Sequence, residues 1–246
     1  RFCQVTGVQT CALPICLEEA RRSVRRISET VPEGRRSLLL FAASPLVQCP
    51  LTSDRAAFDA LLGMASPALV ENQGSAFSPA LDLALRLTDV PAVSTGSEPI
   101  GPEKILVLLS DGEDHEGGVD AAAKRIRKAD VSLFVLGFGR GEAFLPDTAR
   151  PGSVKLDASG DAVKTRFSAG TLQRLAATAG GRYYHVSQSD TANDLVAARI
   201  NDIVARSRVV PVLERGYPLY PWLLGIGLLL LFGESVLRVA PKPSNA

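Results

Sequence analysis

The stretch Lys-Ile-Leu-Val-Leu-Leu-Ser-Asp-Gly-Glu-Asp-His-Glu-Gly-Gly, residues 104–118, gathers the chain's most promising chemistry. The apolar run Ile105–Leu109 has the length and character of a strand buried on both faces. Ser110, Asp111 and Gly112 follow it directly. A carboxylate just past the C-terminal end of a buried parallel strand stands where open α/β sheets bind ligands. Gly112 lets the chain turn away, and Glu113, Asp114, His115 and Glu116 come next. Such a set of oxygens suits a hard cation. Asp111 is the candidate ligand here. Glu113, Asp114 and Glu116 read as solvated loop charges and His115 as an exposed loop residue. His185, in a strand-like run, reads as structural.

The elements that must carry this loop alternate between strand and helix. Leu17, Ala20, Val24, Ile27 and Val31 recur at helical spacing, and Pro32-Glu33-Gly34 ends that helix. Ser37–Ala43 is an apolar run of strand length, and Leu46–Cys49 a second short strand. Asp54 is placed to cap a helix with Ala57, Phe58, Leu61 and Leu62 inward. Gln73-Gly74-Ser75 is a loop, a helix begins near Ser78-Pro79, and residues 89–102 form another loop. A helix at Val119–Lys128 and a strand at Val131–Leu136 follow. Residues 154–166 read as a hairpin turning at Ser159-Gly160. A helix at Ala169–Ala179 is closed by Gly180-Gly181, and the strand Arg182–Ser187 leads to the helix Thr191–Ala205. This alternation predicts an α/β fold with a doubly wound, mostly parallel sheet.

Other chemistries find little support. Gly137-x-Gly139-x-Gly141 does not meet the dinucleotide fingerprint, and no Walker A string or Gly-x-Ser-x-Gly elbow is present. With 27 basic and 26 acidic side chains there is no electrostatic case for nucleic acid.

The two ends read differently from the middle. Residues 5–15, Val-Thr-Gly-Val-Gln-Thr-Cys-Ala-Leu-Pro-Ile, resemble the translation of a common short-read sequencing adapter. Residues 1–16 are therefore set apart from the fold as an artefact, and the domain is expected over 17–210, without its first strand. Cys3, Cys11 and Cys16 fall in the set-apart stretch, leaving Cys49 as the one native cysteine and no structural disulfide expected. At the other end, Gly216 to Gly233 carries no charge. With Tyr217, Tyr220 and Trp222 at one edge and Arg238 and Lys242 beyond the other, residues 217–239 are expected to form a transmembrane helix. Basic residues flank it on both sides, so the positive-inside rule does not choose a side for the domain.

Several segments together resemble the von Willebrand factor A (VWA) family, and within it the aerotolerance-type, Bat-like bacterial membrane proteins. The carriers are Val47–Thr52, Gln73-Gly74-Ser75, Leu109–Gly118, Gly180-Gly181-Arg182-Tyr183-Tyr184 and the apolar C-terminal segment. The resemblance implies a Rossmann-like fold and a metal-ion-dependent adhesion site (MIDAS) for Mg²⁺ or Mn²⁺. The first element of that site, Asp-x-Ser-x-Ser at the end of the first strand, has no match. The nearest string, Asp157-Ala158-Ser159-Gly160-Asp161, lacks the second Ser and sits in the predicted hairpin. The second element falls on Ser75 and the third on Asp111. The metal residues implied are thus Ser75 and Asp111, with binding in the intact parent and weak or no binding in this chain.

The reading that follows is a protein-interaction module, not an enzyme, anchored in the bacterial inner membrane by one C-terminal pass. The resemblance implies protein partners among other VWA membrane proteins and a MoxR-type ATPase, in an envelope stress or aerotolerance complex. The alternative is a metal-dependent hydrolase using the cluster Asp111, Asp114, His115 and Glu116, for which no positioned base or second ligand cluster is found. A metal-chelatase subunit is a third reading. The membrane segment argues against it, since such subunits are expected to be soluble.

Overall fold

The computed structural model describes residues 2–9, 14–31, 34–70, 74–89, 103–139, 142–144, 153–154, 156, 160–162, 164–186, 190–206, 224–225 and 229. Side chains are described from Leu17 onward, apart from those of the short strands at 142–144 and 164–166. The chain divides into two units, Arg1–Arg208 and Val209–Ala246.

The first unit is built on a six-stranded sheet. Its strands are β1 (Phe2–Gln9), β2 (Arg35–Phe41), β3 (Pro45–Thr52), β4 (Glu103–Ser110), β5 (Ser132–Gly137) and, after a short insertion, β8 (Arg182–His185). They lie in the order β3-β2-β1-β4-β5-β8. All neighbours are parallel except β3, which returns antiparallel along β2 at the edge. The remaining strands, β6 (Glu142–Phe144) and β7 (Lys164–Arg166), form a separate antiparallel pair. The expected doubly wound, mostly parallel α/β architecture is therefore what the chain adopts.

The central slot of the sheet is occupied by the stretch set apart for its adapter resemblance: Phe2–Gln9 lies there as β1, parallel to β2 and β4. A gap there would leave buried N–H and C=O groups on two strands without partners, and residues 2–9 supply them. The predicted hairpin is corrected. Leu156 bridges Ala162 antiparallel, while Ser159 lies outside the described residues, but Lys164–Arg166 pairs with Glu142–Phe144. Pairing across nineteen intervening residues leaves no local periodicity to read.

Among the described residues of this unit, six helices cover the two faces. They are α1 (Pro14–Thr30), α2 (Arg55–Gly63), α3 (Phe77–Thr88), α4 (Val119–Lys128), α5 (Ala169–Ala179) and α6 (Thr191–Arg206). Strand alternation divides the core between the faces. Leu38, Leu40, Ile105, Val107, Leu109, Phe134 and Leu136 pack with α1, α2 and α6. Leu39, Phe41, Leu106, Leu108, Leu133 and Val135 pack with α3, α4 and α5. This is why Ile105–Leu109 reads as an unbroken apolar run: every residue faces helices, whichever way it points.

Local signals set the helix ends. Asp54 accepts from the amide of Ala57 at 3.0 Å, the N-cap its position predicts. Gly180 closes α5 in the left-handed conformation. A short 3₁₀ turn at Pro67–Leu69 is capped by Ser66, whose side chain accepts from the amide of Ala68. At the α3–α4 contact, Arg125 holds Asp82 through two bonds (2.7 and 3.1 Å) and also donates to Ser78.

Helix α1 ends without a glycine, and its last carbonyls are served from elsewhere in the fold. Asn201 of α6 donates to the Thr30 carbonyl at 3.0 Å. The buried Arg36 of β2 donates through Nη2 to the carbonyls of Val31 and Ser28. Burial lowers the Arg36 pKa, and the Arg55 charge adds to that. Cys49 is also buried, and burial raises its thiol pKa.

The C-terminal expectation falls largely outside the described residues. Of 217–239, only Leu224, Gly225 and Leu229 are described, all helical, with both leucines exposed. Among the described residues no helix is long and apolar enough to cross a membrane.

Arg36→Ala is expected to lower unfolding stability by about 2–3 kcal/mol, because it leaves buried carbonyls without donors. Arg35→Ala, a half-buried neighbour with no such task, should stay within about 0.5 kcal/mol. Urea titration followed by circular dichroism measures both. Equal midpoints for the two variants would remove Arg36 from the capping of α1.

Candidate functional site

The parallel strands all end at one edge of the sheet, and the loops that leave them there build the site. The loop after β4 is braced from within. Ser110 Oγ accepts from the amide of Gly112 at 2.8 Å, and Asp111 Oδ1 accepts from the amide of Glu113 at 3.3 Å. The Asp111 carbonyl accepts from the amide of Ser168 at 2.8 Å, tying the loop to the entrance of α5.

Gly112 makes that approach possible. Its φ is +86°, and a Cβ there would stand 2.2 Å from the Ser168 carbonyl oxygen. Only glycine satisfies both the left-handed backbone and the missing volume. Gly137, at the end of β5, has the plainer task of admitting Tyr183, whose ring and hydroxyl would lie 2.9 Å from a Cβ. Packing thus accounts for the first glycine of the Gly137-x-Gly139-x-Gly141 string.

The second site loop, Gly74–Ala76, lies across the sheet edge. The amide of Ala76 donates to the carbonyl of Ala42, just past the end of β2, at 3.0 Å. The carbonyl of Ser75 accepts from the amide of His115, in the loop after β4, at 2.9 Å. Since β2 and β4 are the two neighbours of β1, this loop spans the end of the central strand. Ser75 and Asp111 are both buried, at 8% and 7% exposure. The two residues that sequence reasoning nominated, 36 positions apart, are thus carried by loops bonded to one another.

The flanking polar residues divide. His115 is exposed, with Nε2 4.0 Å from a Glu113 carboxylate oxygen, and Glu116 is exposed. His185 is exposed, its ring tilted against Phe167 at a centroid distance of 5.0 Å. Asp114 departs from its reading as a solvated charge. It is half-buried, and Oδ1 accepts from the amide of Phe77 at 3.4 Å. A signal for this was present in the sequence. Helix α3 starts after Ala76, which has no side-chain oxygen to cap it, so the cap must come from another segment.

Comparison with known proteins agrees with this arrangement. The family model for the von Willebrand factor type A domain matches residues 17–198. The chain belongs to the VWA family. BatB of Bacteroides thetaiotaomicron, a conserved hypothetical protein of known structure, is 26% identical with a TM-score of 0.74. The match covers 83% of this chain and all of that one. An aerotolerance-related membrane protein of Bacteroides fragilis NCTC 9343 is 27% identical with a TM-score of 0.72. That match covers 82% of this chain and all of the other. The VWA domain of SpRpn10, at 14% identity and a TM-score of 0.53, shares the fold (79% of this chain, 93% of that one). Comparison with curated proteins finds no match. The VWA domain here is thus Bat-like.

The donor set of this VWA domain is partial. Mg²⁺ takes about six oxygens in near-octahedral geometry and gives up water reluctantly. Ser75 and Asp111 offer one hydroxyl and one carboxylate. Strand β1 ends at Gln9 with no Asp-x-Ser-x-Ser, and residues 10–13 lie outside the described ones. Among the described residues no three His, Cys, Asp or Glu side chains gather as a metal-binding group. Asp111, Asp114, His115 and Glu116 therefore do not gather as such a group, and the described residues do not fit a complete cation site.

Gly112→Ala should destabilise the VWA domain by about 2 kcal/mol or more, from backbone strain and the collision with Ser168. Gly63→Ala, on the exposed end of α2 where a Cβ meets nothing within 4 Å, is the matched control and should be neutral or slightly stabilising. Thermal unfolding of the two variants distinguishes these outcomes.

Proposed function

We propose that this chain is a Bat-like, membrane-anchored protein-interaction module. In this reading partners dock where the loops that carry Ser75 and Asp111 are joined, at the C-terminal ends of the strands. The observation that carries it is the pair itself: a buried carboxylate and a buried hydroxyl residue on two loops joined by the His115–Ser75 bond. A cation held by hydroxyls and one or two carboxylates stays undercharged, and so can recruit a carboxylate from a partner. The proposal places that cation, Mg²⁺ or Mn²⁺, in a parent chain that carries Asp-x-Ser-x-Ser after its first strand. Support for the interaction role comes from the family and from the Bat-like relatives.

The cellular setting proposed is an envelope stress or aerotolerance complex at the bacterial inner membrane. One structural relative is described as an aerotolerance-related membrane protein. Residues 217–239 are the proposed anchor, from their uncharged composition and aromatic edge. Other VWA membrane proteins and a MoxR-type ATPase are the proposed partners. The hydrolase reading gains no observation in its favour.

Two measurements test the proposal. Isothermal titration of this chain with Mn²⁺ and Mg²⁺ should show no saturable binding below about millimolar ion. A chain with Asp-x-Ser-x-Ser placed after β1 should bind, and Asp111→Ala in it should weaken binding at least about tenfold. Equal affinity in the two chains would mean that the site is elsewhere. Carbonate extraction tests the anchor: the protein should stay in the membrane pellet, and release to the supernatant would remove residues 217–239 from that role.

A further inference from the structure

We infer that Asp114 is a positioning residue that sets Ser75 in place by capping helix α3 from the neighbouring loop. The inference deepens the docking reading above and rests on it for its functional meaning. Its structural content stands on three consecutive residues. The carbonyl of Ser75 accepts from His115, the amide of Ala76 donates to Ala42, and the amide of Phe77 donates to Asp114 Oδ1. Each bond leads to a loop at the C-terminal edge of the sheet, and two of the three go to adjacent residues, Asp114 and His115.

The start of α3 explains why a distant carboxylate is wanted. The first four amides of a helix have no partner within it. In α3 these belong to Ala76, Phe77, Ser78 and Pro79. Pro79 has no N–H, and Ala76 is satisfied by Ala42. The N-cap residue is alanine and makes no side-chain bond. Asp114 supplies an oxygen to the Phe77 amide in the first turn, at a helix end whose own N-cap residue, Ala76, offers none. Its negative charge also lies at the positive end of the α3 dipole. The result is a clasp of opposite polarity: Asp114 accepts from one side of Ala76 while His115 donates to the other. The segment that carries Ser75 thereby moves with the loop that carries Asp111.

Amide hydrogen exchange on the full chain tests this without a cation or a partner. Asp114→Ala should speed exchange at Phe77 and His115 by about fivefold or more, from loss of the cap. Amides of Val107 and Val135 in the sheet should keep their protection. Asp114→Asn retains a side-chain oxygen acceptor and should restore most of the protection at Phe77. Unchanged exchange at both amides in Asp114→Ala would overturn the inference. So would an equal acceleration throughout the sheet, because that reports loss of global stability instead of release of one clasp. If the titrations above fail while Phe77 and His115 lose protection, the docking reading falls and the clasp remains.

Discussion

The pairing of β1 on both of its edges is the constraint from which the rest of the domain follows. Seven residue pairs join it to β2 and seven join it to β4. Backbone groups in the middle of a covered sheet have no water to bond with, so each unpaired one costs heavily. The ladder on both sides removes that cost and keeps β2 and β4 one strand apart on either side. That separation is the span crossed by Gly74–Ala76, bonded to Ala42 at one end and to His115 at the other. The helical layers need the same continuity. The α1–α2–α6 core and the α3–α4–α5 core each draw side chains from β2, β4 and β5, and neither would be continuous across a split sheet.

What the sequence made legible was whatever depends on neighbours along the chain. Ile105–Leu109 could be read as a doubly buried strand because five apolar residues in succession leave no face for water. Asp54 could be read as a cap because its bond reaches only three residues ahead. Gly180 after α5 is a signal of the same short range. Asp111 was found from its place at the end of a buried strand. Ser75 was not found in that way. A Gly-Ser pair in a loop carries little by itself, and its nomination came from the resemblance to the VWA family.

The features that escaped are bonds between distant segments. The adapter resemblance of residues 5–15 sets residues 1–16 apart, but a strand slot asks only for extended backbone with free N–H and C=O groups. The β6–β7 pair joins short stretches with nineteen residues between them, too far apart for a local hairpin signal. Asp114 looked like one loop charge among three. Its bond to Phe77 reaches back 37 positions, and only the missing cap at Ala76 hints at it. Arg36 likewise sits one residue before a strand-like run and gives no sign of the helix end it serves.

The outer strand β3 has a consequence for how the protein behaves in a crowded solution. An edge strand presents a row of open backbone groups on which another chain can add itself. Strand β3 carries Pro45 and Pro50, neither of which can donate, and its pairing with β2 shifts register between Leu38 and Arg36. Prolines and irregular pairing are what edge strands use to refuse a new neighbour. The opposite edge, β8, has only four residues, and both of its terminal side chains, Arg182 and His185, are exposed. The sheet is thus guarded against growing sideways into aggregates, even though the inner strands β2, β4 and β5 carry long apolar runs.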